Sequence, residues 1–293
     1  MSDEKSIRLR IVTAEGYDDT ADMLRSIAAG DMPEDAVCIY PGTRNQLYTL
    51  PSPHGVLVVK CFRTPNAVNS IAYTTVRTSK ACRSFLNSIK LQRLGISVPE
   101  PIAYAEERKG LRMRRSYYLS RAVEGDTIRF YEMRPDCDVM LRRLAREMLR
   151  MHLMGVWHKD FSPGNVIVKR DTDGSYSFNY VDLNRMAFDT VDHDKQLRMF
   201  ERINYTELHT ARLAHAYASL FPTRNPFVTD FHRILDPGKE EDPLQGLYPL
   251  LRTDALIRRG ERYIVDGAIK AFRRFWHSRN RKKRLLKRLH LRK

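Results

Sequence analysis

Residues 157–168 read WHKDFSPGNVIV, and three polar side chains in this stretch, His158, Asp160 and Asn165, sit at a spacing that suits one chemistry. Moving a phosphoryl group onto an alcohol needs a carboxylate beside the acceptor hydroxyl, while a nearby carboxamide helps anchor the metal that screens phosphate charge. Asp160 suits the first role and Asn165 the second. His158 reads as an organiser of the loop, because the chemistry assigns the hydroxyl to the carboxylate. Pro163 keeps the residue before it extended, and Ser162 and Gly164 shape the turn. A second acidic group should follow the next strand and hold metal too; YSFNYVDLNR, residues 176–185, supplies Asp182 at the end of an alternating run. Hard oxygen donors meeting phosphates point to Mg2+. Singly, each of these residues is a turn or cap element; their joint placement argues for a site.

The elements that must position them can be read from the same pattern. Strand Val166–Lys169, the turn RDTDGS at 170–175 and strand Tyr176–Val181 form a hairpin whose two ends share an edge. A helix starting near Asp136, with Val139, Met140, Leu144, Met148, Leu149 and His152 on one face, delivers the chain into the loop. His152 there reads as packing or capping. Upstream, 7–12 and 37–40 are short apolar runs, and 46–60 reads as two strands around the SPHG turn at 52–55. A helix from Lys80 to Leu94 is stopped by Gly95 and redirected by Pro99 and Pro101, after which 102–105 and 116–119 return to the sheet. The stretch AVEGDTIRFYE, 122–132, reads as a crossing between two parts. Helices are expected at Lys195–Ile203 and Glu207–Phe221, before a polar, proline-containing 222–249. Strands first and helices second is an α+β order, which by itself proves no activity.

Lys60 closes the run GVLVVK, where a strand-borne ammonium can reach bound phosphates. Alone it would read as an edge-strand lysine that limits aggregation; with HKDFSPGN downstream, the phosphate role is preferred. The loop expected to cover those phosphates, YPGTRNQLY, is weak. Only Gly42 adds backbone freedom, and Arg44 either contacts phosphate directly or is a solvated turn residue.

At 293 residues and 42% hydrophobic, the chain can bury a core large enough for one domain or two lobes. The cysteines at 38, 61, 82 and 137 show no paired metal-ligand spacing, and MSDEKSIRLR lacks an apolar secretory core, so a reducing cytoplasm is expected. No apolar run approaches the roughly 20 residues of a spanning helix, which argues against integral insertion and leaves surface attachment open. Of the net charge of +16, most lies in one place: residues 270–293 hold twelve Lys or Arg and no Asp or Glu. There Ile269, Phe272, Phe275 and Trp276 recur at helical spacing among Lys270, Arg273 and Arg274, and Leu285, Leu286 and Leu289 follow the block SRNRKKR at 278–284. Such a segment can rest apolar groups among lipid headgroups while its cations meet anionic lipid, at roughly 1 kcal/mol per cation. Nonspecific contact with nucleic-acid phosphates is a second reading, weakened by the lack of a reading module, so no specific nucleic acid is expected. A helix packed on the protein body is a third reading, for 264–276.

HKDFSPGN resembles the catalytic loop of the protein-kinase-like superfamily, and VDLNR its metal-binding motif with Leu-Asn in place of Phe-Gly. More closely, LRMHLMGVWHKDFSPGNVIV with FNYVDLNRM resembles the lipopolysaccharide kinases that modify Kdo or heptose of the inner core, over residues 37–221. The resemblance implies an α+β, two-lobed protein-kinase-like fold, with a small mainly β N-lobe at 1–121, a larger mainly α C-lobe at 122–267 and a basic tail at 268–293. It implies ATP as phosphoryl donor and a sugar hydroxyl on a lipid-linked acceptor, met at the cytoplasmic face of the membrane through residues 269–293. It gives Asp160 the catalytic role, Asn165 and Asp182 the metal, and Lys60 the nucleotide phosphates. Arg185 looks like a family feature that organises the site or meets acceptor phosphate, with a core salt bridge as the plainer reading.

One departure stands out. The superfamily places a glutamate on the helix after the lysine strand to orient that lysine, yet from Cys61 to Pro99 this chain has no Asp or Glu. The helix offers Cys82, Asn87 and Gln92 instead, and a neutral amide lacks a carboxylate's charge attraction. Three outcomes stay open: a carboxylate from elsewhere holds Lys60, activity is low, or the chain is a noncatalytic kinase-like binding or scaffold protein. A kinase with a protein or small-molecule acceptor is a further alternative.

Overall fold

The strand Leu57–Phe62 (β4) buries apolar side chains on both of its faces, so the sheet that holds it must be covered on both sides. The computed structural model describes residues 7–43, 45–63, 78–110, 112–131, 134–203, 206–220 and 264–280. The chain divides into two units, Met1–Glu124 with Asn179–Arg185, and Gly125–Phe178 with Met186–Lys293. In the first, β4 joins β1 (Ile7–Thr13), β2 (Val37–Tyr40), β3 (Asn45–Leu50), β5 (Pro101–Lys109) and β6 (Arg112–Arg121) in an antiparallel sheet ordered β1-β5-β6-β4-β3-β2. Leu57, Val59, Ala103, Ala105 and Leu119 meet helix α1 (Thr20–Ala29) through Leu24, Ile27 and Ala28. The opposite face presents Phe62, Tyr104 and Tyr118 to helix α2 (Lys80–Arg93) through Ala81, Cys82 and Phe85.

Helix α2 lies where the sequence places it, started by Ser79, whose hydroxyl accepts the Cys82 N–H at 3.0 Å. Helix α1 is an addition to the sequence reading. Its signals are local: Leu24, Ile27 and Ala28 share a face, and Gly30 closes the helix in the left-handed region at φ 106°. The apolar run 37–40 is a strand, but β2 is the outermost and all four of its residues are exposed.

In the second unit, α3 (Ile128–Tyr131) follows the two-residue strand β7 (Asp126–Thr127), which pairs with β9 (Val166–Arg170). Gly125 makes that approach possible: at φ 122° a Cβ there would lie 2.4 Å from the Val168 carbonyl oxygen. Helix α4 (Cys137–Leu153) buries Met140, Leu141, Leu144, Ala145, Met148 and Leu149, whereas Val139, expected on that face, is 48% exposed. The chain then forms β8 (Val156–His158), β9, and β10 (Tyr176–Tyr180), whose turn with β9 is closed by the Asp171 N–H on the Ser175 carbonyl at 2.9 Å. Strand β11 (Met186–Phe188) pairs antiparallel with β8.

Helix α5 (His193–Met199) begins two residues before the expected helix and ends earlier, since Phe200 and Ile203 turn into the core. Helix α6 (Glu207–Ala218) is capped by Thr206 and packs on α4. The C-terminal helix α7, residues 264–280, buries Ile264, Ala268, Ala271 and Phe272. Gly267 passes so close to Leu197 that a Cβ would sit 2.9 Å from it, and the Arg273 Nε donates to Glu207 at 2.8 Å. Packing on the body therefore describes 264–276, and Phe272 belongs to the core rather than to an exposed apolar face. The 222–249 segment and the tail beyond 280 lie outside the described residues. Among those described, no helix is long and apolar enough to cross a membrane, and the four cysteines are free.

His152 ties α4, α5 and α6 together. Its Nδ1 lies 2.6 Å from the Tyr217 hydroxyl and its Nε2 2.7 Å from the Met199 sulfur. Burial pushes the imidazole from 6.5 down to about 3, and raises the Tyr217 phenol, so both groups are neutral. Because the unfolded chain takes up this proton first, the stability His152 confers is complete above about pH 6.5 and is lost as pH falls toward 3. At about 1.4 kcal/mol per pH unit, urea unfolding should show the wild type losing about 2 kcal/mol more than His152→Leu between pH 7 and pH 5. Equal losses would place the acid sensitivity elsewhere.

Candidate active site

Side-chain alternation puts Lys60 and Phe62 on the same face of β4, the one that α2 covers. The Lys60 ammonium sits 5.3 Å from the centroid of the Phe62 ring and pairs with Oδ1 of Asp182. That carboxylate follows the last residue of β10 by two positions, at φ 59°, a left-handed conformation that Asp and Asn tolerate better than most residues. It is held from both sides. Asn184 donates its side-chain N–H to the same Oδ1 at 2.6 Å, and Asn87 of α2 donates to the Leu183 carbonyl at 2.7 Å. Asn87 thus anchors the backbone beside Asp182, and the carboxylate on Lys60 comes from the end of the hairpin instead of from the helix.

A second lysine joins them. Lys80, the first residue of α2, lies 5.7 Å from the centroid of the same Phe62 ring. Burial lowers the Lys80 pKa; Asp182 pulls it back up, while Arg185, Lys60 and Arg83 push it down. Lys80 thus feels one carboxylate and three other cations, and a buried Nε of Arg83 has no hydrogen-bond partner among the described residues. An excess of positive charge with a donor to spare fits a polyphosphate. Arg185 is exposed. Gly42 lies two residues after β2, where a Cβ would come within 2.6 Å of the Asn45 carbonyl oxygen. Arg44 lies outside the described residues.

The remaining site residues belong to the second unit. His158 is 1% exposed, and its Nδ1 accepts the Asp160 N–H at 3.1 Å, so the imidazole folds the loop back on itself. The turn Pro163–Asn165 follows, closed by the Asn165 N–H on the Ser162 carbonyl at 2.8 Å. The Asn165 side-chain nitrogen donates to the Asp160 carbonyl at 2.8 Å, which leaves its oxygen, the atom a cation needs, outside that bond. Asp160 pairs with Arg202, a residue the motif reading did not single out. Arg202 lies far along the chain in an irregular segment after α5, with no spacing signal; Lys80 offered only its place at the start of a helix.

Asp182 of the first unit and Asn165 of the second each carry a hard oxygen donor of the kind Mg2+ takes. No cluster of three or more His, Cys, Asp or Glu suited to a metal occurs among the described residues.

A lysine strand beneath a helix and a carboxylate after a hairpin, with an HxD loop ending in Asn, define a phosphotransferase of the protein-kinase-like kind. The model of the lipopolysaccharide kinase (Kdo/WaaP) family matches residues 68–217, and the chain belongs to that family. No curated protein matches the sequence. Among solved structures it is similar to WaaP in complex with acyl carrier protein, at 14% identity over 87% of this chain and 99% of that one, with a TM-score of 0.49. It is also similar to the Rio2 kinase of Chaetomium thermophilum in its ADP/Mg2+-phosphoaspartate complex, at 16% identity over 91% and 78%, with a TM-score of 0.42.

The charge balance around Asp182 gives an asymmetric expectation. Removing Lys60 leaves the carboxylate with Asn184 and other cations nearby; removing the carboxylate's charge leaves the cations facing each other. Asp182→Asn, which keeps the backbone tolerance, should lower unfolding stability by about 2–4 kcal/mol, and Lys60→Met by less than about half of that. Equal losses in denaturant titrations, or a larger loss for Lys60→Met, would contradict this balance.

Proposed function

We propose that the protein is an ATP-dependent kinase that phosphorylates a sugar hydroxyl, of Kdo or heptose, on the lipid-linked inner core of lipopolysaccharide, at the cytoplasmic face of the membrane. The observation that carries this reading is the family match over 68–217, a span that contains the Asp160 loop, Asn165 and Asp182.

In this reading Asp160 holds the acceptor hydroxyl by its proton and turns the oxygen toward the transferring phosphorus. His158 fixes the backbone of Asp160 through the N–H it accepts. Lys60 and Lys80, both beside Phe62, bind the nucleotide phosphates, with Arg185 and Arg83 adding to the positive field. Asn165 and Asp182 would hold Mg2+, which when bound neutralises phosphate charge and so lowers the barrier to attack. In the Lys60–Asp182 pair each group compensates the other's charge.

The exposed Arg274, His277 and Arg279 of α7, with the basic residues after 280, supply the surface that meets anionic lipid in this reading. Arg279 lies over the Trp276 ring at 5.1 Å, which keeps a cation and an aromatic group together at that end of the helix.

Purified protein with Mg-ATP and an inner-core acceptor should yield a product whose added phosphate maps to a sugar by mass spectrometry. Asp160→Ala should lower kcat by about 10^3-fold or more while leaving ATP affinity within about twofold. Turnover should also be faster on acceptor carried in anionic than in zwitterionic vesicles. No product, or phosphate appearing only on protein or a small soluble acceptor, would remove the sugar from the account; equal rates in the two vesicles would remove the membrane.

A further inference from the structure

We infer that Arg202 is a positioning residue for the Asp160 carboxylate, and that the C-terminal helix holds Arg202 in place through Phe275. The inference rests on the reading of Asp160 as the group that receives the acceptor hydroxyl.

The Arg202 guanidinium pairs with Oδ1 of Asp160, and the two side chains are 34% and 14% exposed. The attraction of the guanidinium for one carboxylate oxygen favours one orientation of the carboxylate, and so of the lone pairs that face an incoming alcohol. The other side of Arg202 is occupied as well. Its Cζ lies 5.2 Å from the centroid of the Phe275 ring, within the range of a cation–π contact. Phe275 itself is braced edge-on by Trp276 at 5.7 Å.

The helix carrying Phe275 is seated firmly enough to transmit this placement. Ile264, Ala268, Ala271 and Phe272 are buried, Gly267 allows close contact with Leu197 of α5, and Arg273 makes two hydrogen bonds to Glu207 at the start of α6. Arg202 lies on the chain between α5 and α6, the two elements that α7 grips. A segment whose composition first reads as a surface tail therefore reaches the candidate catalytic carboxylate in two steps, Phe275 to Arg202 and Arg202 to Asp160. Held this way, the carboxylate needs no reorganisation when the acceptor binds.

The test uses the full-length protein with Mg-ATP and the phosphorylated-sugar readout. Arg202→Ala should lower kcat by about 10–100-fold with the KM for ATP and for acceptor each within about twofold, and Arg202→Lys should recover part of the loss. Phe275→Leu, which keeps the apolar packing and removes the ring, should lower kcat by about 3–10-fold in the wild-type background and by less than twofold in Arg202→Ala, because its effect travels through the guanidinium. Additive losses in the double variant would overturn the path through Phe275. A rise in acceptor KM with kcat unchanged would overturn the positioning role, making Arg202 an acceptor ligand. A change below twofold in every Arg202 variant would overturn the inference alone, while a wild type that phosphorylates no sugar would overturn the proposed function along with it.

Discussion

The first unit is organised around a lysine ammonium and an aspartate carboxylate that neutralise each other inside a strongly cationic neighbourhood. Lys60 and Asp182 are 14% and 20% exposed, so neither is fully solvated, and each depends on the other for compensation. The superfamily's usual arrangement gives this lysine a glutamate from the neighbouring helix. In this chain the helix is present, seated on the sheet through Ala81, Cys82 and Phe85, yet its polar residue Asn87 bonds to the backbone next to Asp182. The helix therefore acts on the lysine indirectly, by fixing the segment that carries the carboxylate. Lys60 and Asp182 thus form one pair, and in the proposed kinase the charge of Mg-ATP would match it: the anionic phosphates suit the lysines, and the cation suits the carboxylate.

The same logic explains the surplus of cations. A glycine-rich loop binds phosphates with backbone N–H groups, and the turn around Gly42 is poor in glycine. Lys80, Arg83 and Arg185 add positive charge to the neighbourhood of Lys60 and Asp182. Their mutual repulsion is costly without a counter-charge, which is why Asp182 matters to the fold.

Much of this was legible in the sequence, where the signal is local. The helix 80–94, the hairpin around 170–175 and the HxD…N loop each depend on caps, turn residues and short-range spacing, and each lies where expected. Helix α1 was missed although Leu24, Ile27, Ala28 and Gly30 carry its signature, because its apolar stripe is only two turns long. The apolar composition of 37–40 marked a strand correctly but said nothing of burial, since the outermost position in a sheet is a property of topology. The partner of Lys60 could not be read at all from spacing: Lys60 and Asp182 are separated by most of the first unit's sequence and by the start of the second. Arg202 is the same case. No periodicity marks it, and its meaning comes from two tertiary neighbours, Asp160 and Phe275. The tail's aromatic residues had two compatible readings by sequence, and packing divides them: Phe272 is buried, while Phe275 and Trp276 stand at the margin.

If Asp182, the counter-charge of Lys60, is also the carboxylate that takes the metal, as proposed, titration calorimetry of ATP with Mg2+ and with the metal chelated away will show it. The wild type should bind ATP at least about tenfold more tightly with Mg2+ than without, because the cation relieves the repulsion between Asp182 and the phosphates. In Asp182→Asn that gain should vanish, with metal-free ATP binding more tightly than to the wild type, since Lys60 no longer has a carboxylate partner. A gain from Mg2+ that is the same in both proteins would contradict the account.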